Sequence, residues 1–255
     1  MSTSLETRDL TIRFGGHVAV DAVSCAFHPG TLTAIVGPNG AGKTTWFNLI
    51  SGQLRASSGT VLLHGEDVTR WSPPRRTHAG IGRAFQLTQL FPNLSVRENV
   101  RLAVQARQRR GGNFWSVWSG HAEMIERADE LLEAVHLEDR RDAAASSLPH
   151  GDQRKLEVAI LMALGSDVFM FDEPTAGMSM DDAPVILDLI RNLKAQKDKT
   201  ILLVEHKMDV VRELADRIVV LHNGRLMADG EPAAVMASPV VQQAYLGTAP
   251  LEEAA

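Results

Sequence analysis

Cysteine is nearly missing. Cys25 is the single one in 255 residues, which excludes an internal disulfide, a disulfide framework and a cysteine metal cluster, and fits a reducing compartment. Long apolar runs are missing too. Stretches such as residues 201–204 and 218–221 fall far short of the roughly 18 residues that a spanning helix needs, so the chain itself is not expected to cross a membrane. The first nine residues are polar and mixed in charge, without the basic start and apolar run of a signal peptide, so the chain is expected to stay in the cytoplasm. Basic charge is not in excess. A formal net charge of −5 argues against nucleic acid as a partner, because tracking a phosphate backbone takes clustered Lys and Arg.

What is present suits a globular protein. With 44% hydrophobic and 22% charged residues, neither disorder nor a fibrous repeat is indicated. A chain of this length buries roughly three quarters of its unfolded surface, enough for one large unit or a core with a smaller lobe.

Residues 5–36 form short β-rich pieces broken by Gly15-Gly16 and Pro29-Gly30, which predicts an antiparallel meander whose last strand is 31–36. A helix is expected over 44–51, strands over 60–63 and 81–85, and then helices over 96–110 and 121–135. After this, strand 168–171, helix 184–194, strand 200–204 and helix 208–215 alternate as in a doubly wound parallel sheet. Asn223-Gly224, between 218–221 and 225–228, is a type I′ hairpin signal. Short helices over 232–237 and 240–246 close the chain. The expected class is α/β, with a cassette core over 1–94 and 148–247, a helical lobe inserted at 95–147 and a frayed tail at 248–255.

Gly37-Pro38-Asn39-Gly40-Ala41-Gly42-Lys43-Thr44 fits the phosphate-binding loop, and it lies between an apolar strand and a helix as that loop requires. A random chain of this length contains the pattern in roughly one case in a hundred. Asn39, Gly40 and Gly42 let backbone N–H groups crowd round phosphates, and the helix N-terminus adds its dipole. Lys43 bridges the β and γ phosphates of a nucleotide, Thr44 ligates Mg2+, and Thr45 donates to the α phosphate. A second element, 168–171 followed by Asp172-Glu173, delivers two carboxylates at a strand end, where open α/β sheets bind ligands. Asp172 is assigned to the magnesium through its water shell and Glu173 to polarising the attacking water. The plainer alternative is a helix-capping acid pair before Pro174.

With these elements in this order, the chain resembles the ATP-binding cassette (ABC) family over nearly its whole length. The resemblance implies ATP and Mg2+ as ligands and gives several further residues a role. Gln86 looks like the family's glutamine that reaches magnesium and water and begins the segment facing the membrane partner. Leu148-Pro149-His150-Gly151-Asp152-Gln153 stands where the family has its Leu-Ser-Gly-Gly-Gln type signature, which opens a helix and caps the ATP of the opposite subunit. Gly151 and Gln153 are taken as matches. Pro149 departs from the pattern, so backbone N–H groups and the helix dipole must replace a serine hydroxyl. His206 resembles the switch histidine. Ala176-Gly177-Met178-Ser179 resembles the dimer-contact loop, with Ser179 where many members have Asp. Phe14 is a candidate adenine platform, with a core phenylalanine as the alternative. Phe114-Trp115-Ser116-Val117-Trp118 either packs between helices or touches a partner.

Phe14-Gly15-Gly16, residues 82–91, the Pro-containing signature, residues 173–178, Val204-Glu205-His206 and Ala244-Tyr245-Leu246-Gly247 resemble the ATPases of branched-chain amino acid uptake. The resemblance implies an importer with integral membrane permease subunits and a second related ATPase, or a second copy of this chain, as dimer partner. It further implies an external solute-binding protein and a place on the cytoplasmic face of the membrane. A soluble cassette ATPase of DNA repair or translation, another phosphate-loop NTPase, and a weakly active regulatory subunit remain as alternatives. The transported solute stays open.

Overall fold

The computed structural model describes residues 3–84, 90–108, 121–178 and 182–246. Gln86, the Trp115 to Trp118 stretch, Ser179 and the tail 248–255 lie outside the described residues. In chain order the elements are β1 (Leu5–Phe14), β2 (His17–Phe27), β3 (Leu32–Val36) and α1 (Lys43–Ser51), then β4 (Ser58–Leu63), β5 (Glu66–Asp67) and α2 (Pro73–His78). There follow β6 (Ile81–Ala84), α3 (Val96–Arg107), α4 (His121–Ala134), α5 (His150–Leu164), β7 (Val168–Asp172) and α6 (Asp182–Ala195). The chain closes with β8 (Thr200–Val204), α7 (Met208–Leu214), β9 (Arg217–His222), β10 (Arg225–Gly230), α8 (Pro232–Ala237) and α9 (Pro239–Leu246). Among the described residues no helix is long and apolar enough to cross a membrane.

The elements gather into two compact units, one made of residues 1–76 with 194–255 and the other of 77–193. In the first, β1 pairs antiparallel with β2 on one side and β4 on the other. The expected meander is corrected at its end. β3 does not continue it but pairs in parallel with both β8 and β9, and β9 forms the antiparallel hairpin with β10. The reason lies in the composition of β3. Leu32-Thr33-Ala34-Ile35-Val36 is buried at all five positions, the mark of a strand covered on both faces in a parallel sheet, whereas β1 mixes buried and exposed positions. Ala34, Val36, Ile218 and Val220 pack with Val211, Val235 and Val241 from α7, α8 and α9.

The helix that follows β3 is fixed at both ends of its length. Trp46 is fully buried and its ring lies 5.8 Å from that of Phe27 on β2. At the C-terminus of α1, Gly52 adopts the left-handed cap, and the Arg76 guanidinium donates to the carbonyls of Leu49 and Ile50, each at 2.6 Å, and of Thr69 at 2.7 Å. Burial pushes the Arg76 pKa down to about 10, with the Asp67 charge opposing, so it is still a cation at neutral pH and offsets the negative end of the helix. Cys25, on β2, is buried beside Arg217, and burial pushes its thiol up to about 12.

In the second unit β6 and β7 pair in parallel, from Ile81↔Val168 to Ala84↔Phe171. Gly82 lets the strand approach the end of α5: a Cβ there would lie 2.4 Å from Ser166 Oγ. Helices α3, α4 and α5 pack on one another. Ser95 caps α3 by accepting from Glu98 N at 3.2 Å, and Asn99 accepts from Phe91 N and donates to Phe91 O, fixing the loop before the helix.

Replacing Arg76 by Met takes a charged donor away from three carbonyls. Urea unfolding of Arg76→Met is expected to show a loss of roughly 2–4 kcal/mol. Arg76→Lys should recover less than half of it, because one ammonium cannot span the three acceptors.

Candidate functional site

The loop between β3 and α1 is closed around its own lysine. Lys43 is 7% exposed and its Nζ donates to Gly37 O at 2.7 Å and Pro38 O at 3.0 Å. The N-cap of α1 is Gly42, at φ 97°, and no side chain caps the helix. The first N–H groups of α1 therefore face the loop as donors suited to an anion. Asn39 and Gly40 are exposed at the rim, and Thr44 and Thr45 are half-buried on the first turn.

The loop rests on backbone from two other elements. A Cβ on Gly37 would lie 2.1 Å from Leu221 O, and one on Gly42 would lie 2.5 Å from Ala19 O and 3.3 Å from Gly224 Cα. The β9–β10 turn has positive φ at Asn223 (49°) and Gly224 (75°), as a type I′ hairpin needs. Gly224 N donates to Ala41 O at 3.0 Å, and Gly224 O accepts from Asp21 N at 2.8 Å. The hairpin signal in the sequence thus marks a support for the phosphate loop as well as a turn.

His206 leaves the sheet at the same edge as the loop, since Ile35 of β3 is paired with Val204 of β8. Glu205, quoted above only as part of the resemblance and without a role of its own, is 3% exposed, and its Oε2 accepts from His206 N at 2.7 Å and Lys207 N at 3.2 Å. Turning the chain in this way leaves His206 exposed. Phe14 ends β1 opposite His17 and is 50% exposed, so it is not a buried core residue.

In the second unit, β7 is buried throughout and ends on Asp172. The Arg83 guanidinium on β6 donates to Asp172 Oδ2 at 2.8 Å, with the two side chains 7% and 4% exposed. Burial lowers the Arg83 pKa and the Asp172 carboxylate opposes that shift. Two charges so far from water persist only as partners, and removing either strands the other. Glu173 follows with φ 51°, a left-handed conformation rare for its type. Its carbonyl accepts from Ala176 N at 3.1 Å.

Leu148 is buried and Pro149 is the N-cap of α5, with no side-chain cap bond. The helix starts at His150. His150 and a buried Gly151 form its first turn, whose N–H groups are the donors there. Gln153 is turned back, its Nε2 donating to Leu148 O at 2.9 Å. Counted as a five-residue signature from Leu148, the motif ends on Asp152, which is paired with Lys155 Nζ at 2.6 Å.

A methyl group on Gly224 meets Ala19 O at 2.7 Å and forces a left-handed φ on a residue with a Cβ. Gly224→Ala is expected to lower nucleotide affinity about tenfold without touching the ligand. Equilibrium titration with a fluorescent ATP analogue checks this.

Known proteins resemble this chain over most of its length. Residues 20–176 match the family model for ABC transporters, and residues 225–250 match that of the branched-chain amino acid ATP-binding cassette transporters. The high-affinity branched-chain amino acid transport ATP-binding protein LivG of Escherichia coli K12 is 36% identical over 251 residues, covering 96% of this chain and 98% of LivG. The crystal structure of the ADP conformation of MJ1267, an ATP-binding cassette of an ABC transporter, has a TM-score of 0.81 at 31% identity, covering 97% of this chain and all of that one. The fold is also that of the cassette MJ0796, solved as a dimer bound to ADP and Pi after hydrolysis, with a TM-score of 0.76 at 24% identity over 89% of this chain and 98% of that one. On these matches and the phosphate loop above, the chain belongs to the ABC transporter family, as one of its ATP-binding cassette ATPases.

Proposed function

We propose that the chain is the ATP-hydrolysing subunit of an importer for branched-chain or related amino acids. It works as one of a pair of cassettes on permease subunits at the cytoplasmic face of the membrane, with an external binding protein supplying the solute. The observation that carries the ATPase reading is the phosphate loop closed on buried Lys43 beside a helix end that no side chain caps. The class of solute rests on the match at residues 225–250 and on the name of LivG. The low content of clustered basic residues speaks against the soluble DNA or translation reading.

Each residue then has one task. Lys43 exchanges its two carbonyl acceptors for the β and γ phosphates, the N–H groups from Gly40 to Thr45 take phosphate oxygens, and Phe14 stacks on adenine. The Thr44 hydroxyl and the Asp172 carboxylate are hard oxygen donors of the kind that Mg2+ takes. Among the described residues no group of three or more His, Cys, Asp or Glu could hold a metal ion, so the metal would draw most of its ligands from phosphate and water. When bound, Mg2+ supplies neutralisation of charge on the β and γ phosphates.

Glu173 takes up the proton of the attacking water, and His206 holds the γ phosphate and loses that contact on hydrolysis. Gln86 completes the water site. Leu148, Gly151 and Gln153 build the start of α5, whose N–H groups cap the ATP of the partner cassette.

Glu173→Gln is expected to cut ATP turnover by roughly 10² to 10⁴ with ATP affinity retained, as read by phosphate release and equilibrium binding; near-parental turnover removes Glu173 as the base. Gentle solubilisation of the native membranes with a tagged chain should bring down two permeases and a second ATPase. An exclusively soluble complex favours the alternative.

A further inference from the structure

Arg154 lies one helical turn below Gly151 on α5, at the spacing that puts the two on one face. Its guanidinium reaches out of the helix to the segment after β7: NH2 donates to Ala176 O at 3.0 Å, and NH1 stands 3.5 Å from Glu173 O. Ala176 N in turn donates to that same Glu173 carbonyl at 3.1 Å. Burial lowers the Arg154 pKa, with Glu157 opposing, so the cation is partly withdrawn from water where it meets these carbonyls. Glu173, which carries the first of these carbonyls, is itself at φ 51°. A left-handed glutamate costs about 1–3 kcal/mol and persists only where its surroundings impose it. A planar fork that spans two carbonyls three residues apart does so, and a single ammonium cannot.

We propose that Arg154 is a positioning residue for hydrolysis: it locks the backbone of Glu173 in its left-handed turn and so ties the helix start that faces the partner's ATP to the base that acts on the chain's own ATP. The inference rests on Glu173 being that base. Movement of α5 when its N-terminus engages a nucleotide is carried one turn along a rigid helix and into the Glu173 carbonyl. Each cassette thereby readies its own base when it closes on its partner's ATP.

The test uses the full-length chain in the assembly with which it purifies. Arg154→Met is expected to lower kcat about tenfold, with ATP affinity and KM within about twofold of the parent, since the fork touches no substrate. Arg154→Lys is expected to lie between the two. On a Glu173→Gln background, Arg154→Met should add less than about twofold, because its effect passes through the side chain already lost. A merely structural role would lower the ATP-binding fraction and multiply with Glu173→Gln. Parental kcat in Arg154→Met, or full multiplication of the two losses, overturns the proposal. If Arg154→Met does not fold, Arg154→Lys decides: a fall in kcat of about threefold or more at unchanged affinity supports it, and parental kcat overturns it. Parental turnover in Glu173→Gln removes the reading of the base and this inference with it, whereas a dead Glu173→Gln beside a normal Arg154→Met removes only the role of Arg154.

Discussion

The first unit depends on backbone packed against backbone. A phosphate loop must keep its donors pointing inward on a fixed curve, and here that curve is set by contacts that leave no room for a single methyl: Gly37 against Leu221, Gly42 against Ala19 and Gly224. Such contacts cannot relax by rotating a side chain, so the loop keeps its curvature whether or not an anion is there. Lys43 completes the arrangement by turning inward to Gly37 and Pro38. The parallel pairing of β3 with β8 and β9 then brings the loop and His206 out at one edge of the sheet.

The second unit solves a different problem, that of holding an acid pair at the end of a buried strand. Asp172 is matched by a buried guanidinium from β6, and the turn after Glu173 is gripped by a second guanidinium from α5. One arginine meets a carboxylate and the other meets carbonyls, so Asp172 and the turn after Glu173 are held by separate means. β6 runs towards Gln86 and α5 begins at the signature, so both supports belong to segments that the family resemblance gives to partners.

Much of this was legible in the sequence because it is local. The phosphate loop, the acid pair after β7, the Asn223-Gly224 turn and His206 each announce themselves within a few residues, and the structure places each on the element expected for it. The parallel course of β3 was missed because Pro29-Gly30 reads as a tight reversal that continues a meander, and the unbroken apolar run after it was not weighed against the alternation that a meander strand shows. Arg76, Arg83 and Arg154 were invisible as functional supports. Arg83 and Asp172 are 89 residues apart, and nothing in either neighbourhood names the other.

Cys25 has a practical consequence. Its thiol is buried in β2 and held far from the pKa at which it would form a thiolate in water, and it has no second cysteine in the sequence to compete with it. Towards maleimides and spin labels the folded chain behaves as though it carried no thiol at all. A cysteine placed at an exposed position of α5 or beside His206 would then be the only group to take a probe, so distances between paired cassettes during an ATP cycle could be followed by spectroscopy without first rebuilding the core.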